Sequence, residues 1–266
     1  MNKKLLAILF LITISIVVQA HEFWIQPQKY FYAIGEKATL SFKVGQNFTG
    51  EPWNLKHHRI ERLELLRGSQ TIDLKTNVKE GDKDNLEIEL KENGTHLIVM
   101  QSNNAFIELE ADKFNSYLKE DGLDNVYDIR KNTNTLNKPS KEFYSRHTKL
   151  LFQVGDVKDD TYKKVMGLPI EIVPDRNPYS LKKGDLIRFK ILWQGKPVFG
   201  ARIKVWNRFD NRTTIQNIYT EQDGTMETHI SNPGAWMVSV VRMIPSTKEG
   251  ADWESYWGSL VFGVKF

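Results

Sequence analysis

The chain has 266 residues, with 37 Lys and Arg against 33 Asp and Glu, a formal net charge of +4 and no cysteine. Without cysteine, disulfides, thiolate metal sites, iron–sulfur clusters, cysteine nucleophiles and a lipidated cysteine anchor are excluded. Acidic and basic residues are interspersed, with no basic stripe carrying aromatics, which argues against nucleic acid as a partner.

Residues 1–20, MNKKLLAILFLITISIVVQA, read as a secretory signal peptide. Lys3 and Lys4 form a positive start. Leu5 to Val18 is apolar except for Thr13 and Ser15, and Val18-Gln19-Ala20 suits a cleavage site. The apolar run is about 14 residues, short of the ~20 that span a bilayer. The expectation is a periplasmic mature chain that begins at His21 and carries no transmembrane segment.

After the leader most of the chain reads as strand. GEKATLSFKVG alternates at Ala38, Leu40, Phe42 and Val44, and DNLEIEL at Leu86, Ile88 and Leu90. Alternation of this kind sets one face on a core and the other on solvent. GTHLIVMQS is a short apolar run behind an Asn93-Gly94 turn. Residues 111–131 break the pattern: Phe114, Tyr117 and Leu118 have helix spacing, Asp121-Gly122 stops the helix, and a second short helix covers Leu123 to Arg130. The polar stretch NTNTLNKPSKE that follows reads as a surface loop.

In EIVPDRNPYSLKKGD, Pro174 and Pro178 flank a polar tripeptide, and a new strand begins after Gly184. This predicts a boundary, with a first β domain over 21–175 and a second over 178–266. GDLIRFKILWQ, ARIKVWN and AWMVSVV return to strand spacing, punctuated by Gly195-Lys196-Pro197, Asp223-Gly224 and Pro233-Gly234. Strand spacings of roughly 8–12 residues predict a mostly β protein of two β-sandwich domains, with a short helical insertion around 111–131.

The second half, through Gly195 to Ala201, Thr220 to Gly224 and Pro233 to Trp236, resembles a transthyretin-like or carboxypeptidase-regulatory Ig-like module. The whole mature chain resembles something narrower. HEFWIQP behind a signal peptide, then GEPW, RIERLEL, NAFIELEADKFNSYLKEDGL, YSRHTKLLFQVGD, GLPIEIVPDRNPYSLKKGD and ADWESYWGSLVFGV, in that order, resemble the DUF4198 family of exported bacterial proteins. Members have been described as NikM-like or CbiK-like periplasmic components of nickel or cobalt uptake. The resemblance implies a bound divalent metal, nickel or cobalt first and copper or zinc next, and membrane components of a metal transporter as partners. It matches the family's leading His at His21 and its Gly-x-His at Gly94-Thr95-His96. Many relatives carry Val-His-Met where this chain has Val241-Arg242-Met243, and a guanidinium offers no lone pair to a metal.

Of the 6 histidines, His21 stands out. Cut before it, the chain presents an α-amine and an imidazole on one residue, a chelating pair whose amine sheds its proton far more readily than lysine does. His96, opening an apolar strand, is the second candidate ligand, and the two are expected to meet within roughly 5 Å, ready to close on a metal at about 2.0–2.1 Å. His57 and His58 read as a solvated loop edge, His147 as facing opposite Thr148, Leu150 and Phe152, on solvent or under the helices, and His229 as an outward strand residue. Asp252 and Glu254 beside Trp253, Tyr256 and Trp257 hold the ingredients of a sugar platform or glycosidase, and equally those of a packed last strand. No nucleophile elbow, phosphate loop or His-Glu-x-x-His occurs, so no catalysis is expected. Two further readings stay open: a copper redox protein built on the N-terminal His, and a metal-free interaction module of the envelope.

Overall fold

The computed structural model describes residues 21–53, 55–80 and 85–266. The predicted leader, residues 1–20, therefore lies outside the described residues. In chain order the strands are β1 (Glu22–Pro27), β2 (Phe31–Tyr32), β3 (Lys37–Gln46), β4 (Thr49–Pro52), β5 (Ile60–Arg67), β6 (Gln70–Asp73), β7 (Asn85–Glu89), β8 (Gly94–Ser102) and β9 (Ala105–Leu109). Helices α1 (Ala111–Glu120) and α2 (Asp124–Asn132) follow, at the expected place. Then come β10 (Ser140–Val154), β11 (Ile170–Pro174), β12 (Leu186–Trp193), β13 (Lys196–Pro197), β14 (Arg202–Phe209), β15 (Arg212–Tyr219), β16 (Thr225–His229), β17 (Gly234–Pro245) and β18 (Trp253–Val264). The protein is mostly β and sandwich-type, as the alternation predicts.

The strands form three sheets. A ten-stranded central sheet runs β15-β14-β17-β18-β10-β8-β5-β6, with β2 and β9 added beside β10. One small sheet holds β1, β3, β4 and β7, and the other holds β11, β12, β13 and β16. Side-chain alternation sends neighbouring residues of a central strand to opposite faces. Leu150, Phe152 and Val154 join Trp24, Ile25, Leu40 and Phe42 of the first small sheet. Leu151 joins Ile170, Ile172, Phe189 and Ile191 of the second. The central sheet is thus covered on both faces. The helices share the first face: Phe114, Tyr117 and Leu118 pack with Met243 and Trp253 at the lower end of the long strands.

One expectation needs correction. Separate sheets on either side of residue 176 are not found, because β10 pairs in parallel with β18 from Glu142↔Trp253 to Leu150↔Val261. The division between 175 and 178 falls in a connection whose two strands, β11 and β12, pair with each other. Pro174 closes β11, and Pro178 opens a 3-10 turn capped by the Asn177 side chain. The prolines mark a long turn within one sheet.

Candidate functional site

His21 is half-exposed and directly precedes β1, and no hydrogen bond joins its ring to another described residue. The next side chain, Glu22, is buried and its Oε1 lies 3.3 Å from Lys204 Nζ on β14. Lys204 also donates to Asp121, the residue that ends α1. The helix reaches this place because its apolar stripe docks on the sheet and because Arg202 donates to the last carbonyls of α1, on Lys119 and Glu120, at 3.1 Å each. Asp121 Oδ2 is buried without a partner. Burial raises this carboxyl to about 6, although Lys204 pulls the other way.

Glu142 on β10 extends the cluster. It accepts from Tyr117 Oη at 3.2 Å and from Ser255 Oγ, while its Oε2 has no partner. Burial pushes it up to about 7 against those hydrogen bonds, and the Asp121 charge adds a smaller push. Two carboxyls, Glu22 and Asp121, therefore share the Lys204 ammonium on the first face of the central sheet, and Glu142 lies beyond them on hydroxyl partners alone. The sequence hid them: Glu142 sits in the stretch read as a loop, and Asp121 reads as a helix stop.

His96 stands elsewhere. It is 1% exposed, stacked on Phe152 with ring centroids 5.3 Å apart, and its Nδ1 lies 3.2 Å from the Gly94 carbonyl oxygen. A carbonyl only accepts, so Nδ1 carries the proton and Nε2 is left as a buried lone pair with no partner. Burial lowers the pKa of this imidazole. The Gly-x-His pattern has a backbone reason here: Gly94 takes φ +143°, and a Cβ there would run into the Asp159 carboxylate that receives Thr95 N–H at 3.0 Å.

The expected meeting of His21 and His96 does not occur. β1 pairs with β3, and β8 lies between β5 and β10. The Phe23 carbonyl receives Ser259 Oγ, level with Thr148, whereas His96 is level with Phe152. That gap of four strand residues is on the order of 13 Å, at about 3.3 Å each. His21 lies two residues further off, on the side of Phe23 away from Tyr30, whose carbonyl bonds Gln153 N–H.

His57 forms an exposed 2.9 Å contact with Glu80, His58 is exposed, and His229 is exposed with its Nδ1 3.1 Å from the Gly184 carbonyl oxygen. His147 does face opposite Thr148 and Leu150, but it is 2% exposed, on the face covered by the second small sheet rather than on solvent or under the helices. Arg242 lies on that same face, its guanidinium 5.1 Å from the Trp193 ring centre, turned away from His21 and His96. Asp252 Oδ2 receives the Lys141 N–H at 2.8 Å and Glu254 binds Lys248 at 2.8 Å, so the two acids hold the ends of strands.

Among the described residues no group of three or more His, Asp or Glu side chains lies close enough to hold a metal ion, and no helix is long and apolar enough to cross a membrane. No curated protein matches the chain. Among solved structures it is similar to a DUF4785 family protein from Legionella pneumophila, at 9% identity over 82% of this chain and 51% of that one, with a TM-score of 0.27. It is also similar to Escherichia coli alpha-2-macroglobulin activated by porcine elastase, at 11% identity over 91% of this chain and 20% of that one, with a TM-score of 0.24. The chain thus spans about half or less of these proteins, and likenesses this loose carry no argument. The model of the domain of unknown function DUF4198 matches residues 18–243. The chain belongs to the DUF4198 family.

Proposed function

We propose that the protein is an exported, periplasmic binder of a divalent transition metal that serves nickel or cobalt uptake, with His21 as its anchoring ligand. The observation that carries this reading is the charge beside His21. Glu22, the next residue in the chain, and Asp121 are set against the Lys204 ammonium, and one oxygen of Asp121 is buried without a partner. Once ionised, such a cluster favours a nearby cation. The unbonded His21 ring and the amine released by cleavage after Ala20 would supply nitrogen donors suited to Ni(II), Co(II), Cu(II) or Zn(II). Water would fill the remaining positions. His96 is left out of the ligand set by its distance, and the copper redox reading would need its second imidazole from elsewhere.

The reading is tested by calorimetric titration of the mature protein with Ni(II), Co(II), Cu(II) and Zn(II). The parent should bind one equivalent, His21→Ala should lose binding, and Asp121→Asn should weaken it. Affinity should fall with pH as the amine and imidazole take up protons. Equal binding by parent and His21→Ala would end the proposal and favour the metal-free envelope module.

A further inference from the structure

Along the edge away from β18, strand β10 has a gap in its pairing. β8 holds it over residues 151–154 and β9 over residues 140–144. Between those stretches the two partners diverge, and a cavity of about 310 Å³ opens on the face opposite the acidic cluster. Ser145, His147 and Tyr256 line one side of it, and Glu61, Gln101 and Asn104 line the other.

Of the two charged groups on its wall, Lys248 is neutralised by an ion pair and Glu61 keeps its charge as a hydrogen-bond acceptor. Glu61 Oε2 receives the Gln101 amide at 2.6 Å, and Lys248, also on the wall, is bound to Glu254 at 2.8 Å. The groups left over carry no charge. His147 Nε2 is 2.9 Å from Ser145 Oγ, while Nδ1 is buried and unpartnered. Burial pushes this imidazole down to about 3, so it is neutral. The exposed Asn104 side chain makes no hydrogen bond to another described residue. An imidazole, a hydroxyl and a carboxamide each donate and accept, and alcohol groups complement all three. Tyr256, stacked on His147 at 5.8 Å and edge-on to Trp193 at 4.6 Å, adds an aromatic wall of the kind that packs on the C–H face of a ring. The volume sits at the small end of ligand pockets, about 300–1,000 Å³.

We propose that this cavity is a binding site for a neutral polyhydroxylated small molecule, a single sugar ring. It is a binding site and not a serine hydrolase, because His147 Nδ1 has no carboxylate among the described residues to orient the ring and support an imidazolium. The proposal stands apart from the metal reading, since its residues lie on the other face of the sheet.

Saturation-transfer NMR on the mature protein tests it, using D-glucose, D-galactose, D-mannose and N-acetyl-D-glucosamine at millimolar concentration, with glycine and acetate as charged controls. At least one sugar should receive saturation on its ring protons and shift the tryptophan fluorescence through Trp193. Ser145→Val and His147→Phe should each weaken that binding at least tenfold. Asn104→Leu, a change at the exposed rim that leaves the fold untouched, should weaken it severalfold. Exposed His229→Ala should bind like the parent. Transfer to none of the sugars, transfer to glycine or acetate instead, or unchanged binding in Asn104→Leu would each overturn the proposal.

Discussion

The two faces of the central sheet bury polar groups in opposite ways. On the first face two carboxyls share one ammonium, and burial raises Asp121 to about 6 and Glu142 to about 7. On the second face an imidazole with no ion partner is driven down to about 3. Burial works against the charged form in both cases. An acid so treated stays titratable near neutrality, whereas a histidine so treated leaves the neutral range altogether. Of these three groups, only the acids of the first face change charge in the pH range where a metal competes with protons.

The largest expected effect comes from removing the ammonium that Glu22 and Asp121 share. Lys204→Met leaves Glu22 and Asp121 buried without a counter-charge and should cost about 3–5 kcal/mol at pH 7.5. Part of that loss should return at pH 5, where Asp121, raised to about 6, is protonated. Urea denaturation at both values checks it, and an equal loss at both would show that packing and not charge is at stake.

Next comes the pH slope of the first face. Glu142 is raised from 4.5 to about 7, so the folded state holds the proton more tightly than the unfolded chain. Its contribution is present below the unfolded pKa and lost as pH rises through the folded one, about 3 kcal/mol in all. Glu142→Gln should remove that slope between pH 4.5 and 7. The second face has the opposite sign. His147 is lowered from 6.5 to about 3, so its contribution is present above the unfolded pKa and lost as pH falls below it. The parent should lose about 2–3 kcal/mol from this group between pH 6.5 and 4.5, and His147→Phe should not. The smallest effect is expected at the surface, where Lys163→Ala breaks an exposed pair with Asp160 and should leave the denaturation midpoint unchanged.

Local structure was readable in advance and long-range pairing was not. Phe114, Tyr117 and Leu118 located α1 because helix spacing is a property of a few adjacent residues. Leu40 and Phe42 located β3 in the same way. The parallel union of β10 with β18 joins Glu142 to Trp253, and nothing near either residue encodes it. His147 shows what that omission costs. Period-two alternation implies one solvated face, but a central strand covered by two other sheets has none, and β10 is buried at every position from His147 to Val154. The chelate proposed at His21 rests on an amine and an imidazole on one residue, which the sequence alone offers. Asp121 comes to the Glu22–Lys204 pair from the end of α1, and the failure to meet His96 follows from β1 pairing with β3, so both needed the fold.

The most direct test of the metal reading adds one alanine between the leader and His21. The extension keeps the imidazole, the leader and every described side chain, and moves only the free amine. Calorimetric titration of the matured variant, its new N-terminus checked by intact mass, should show at least a tenfold loss of affinity for the metal the parent prefers. Unchanged affinity and stoichiometry would contradict an amine–imidazole chelate at His21.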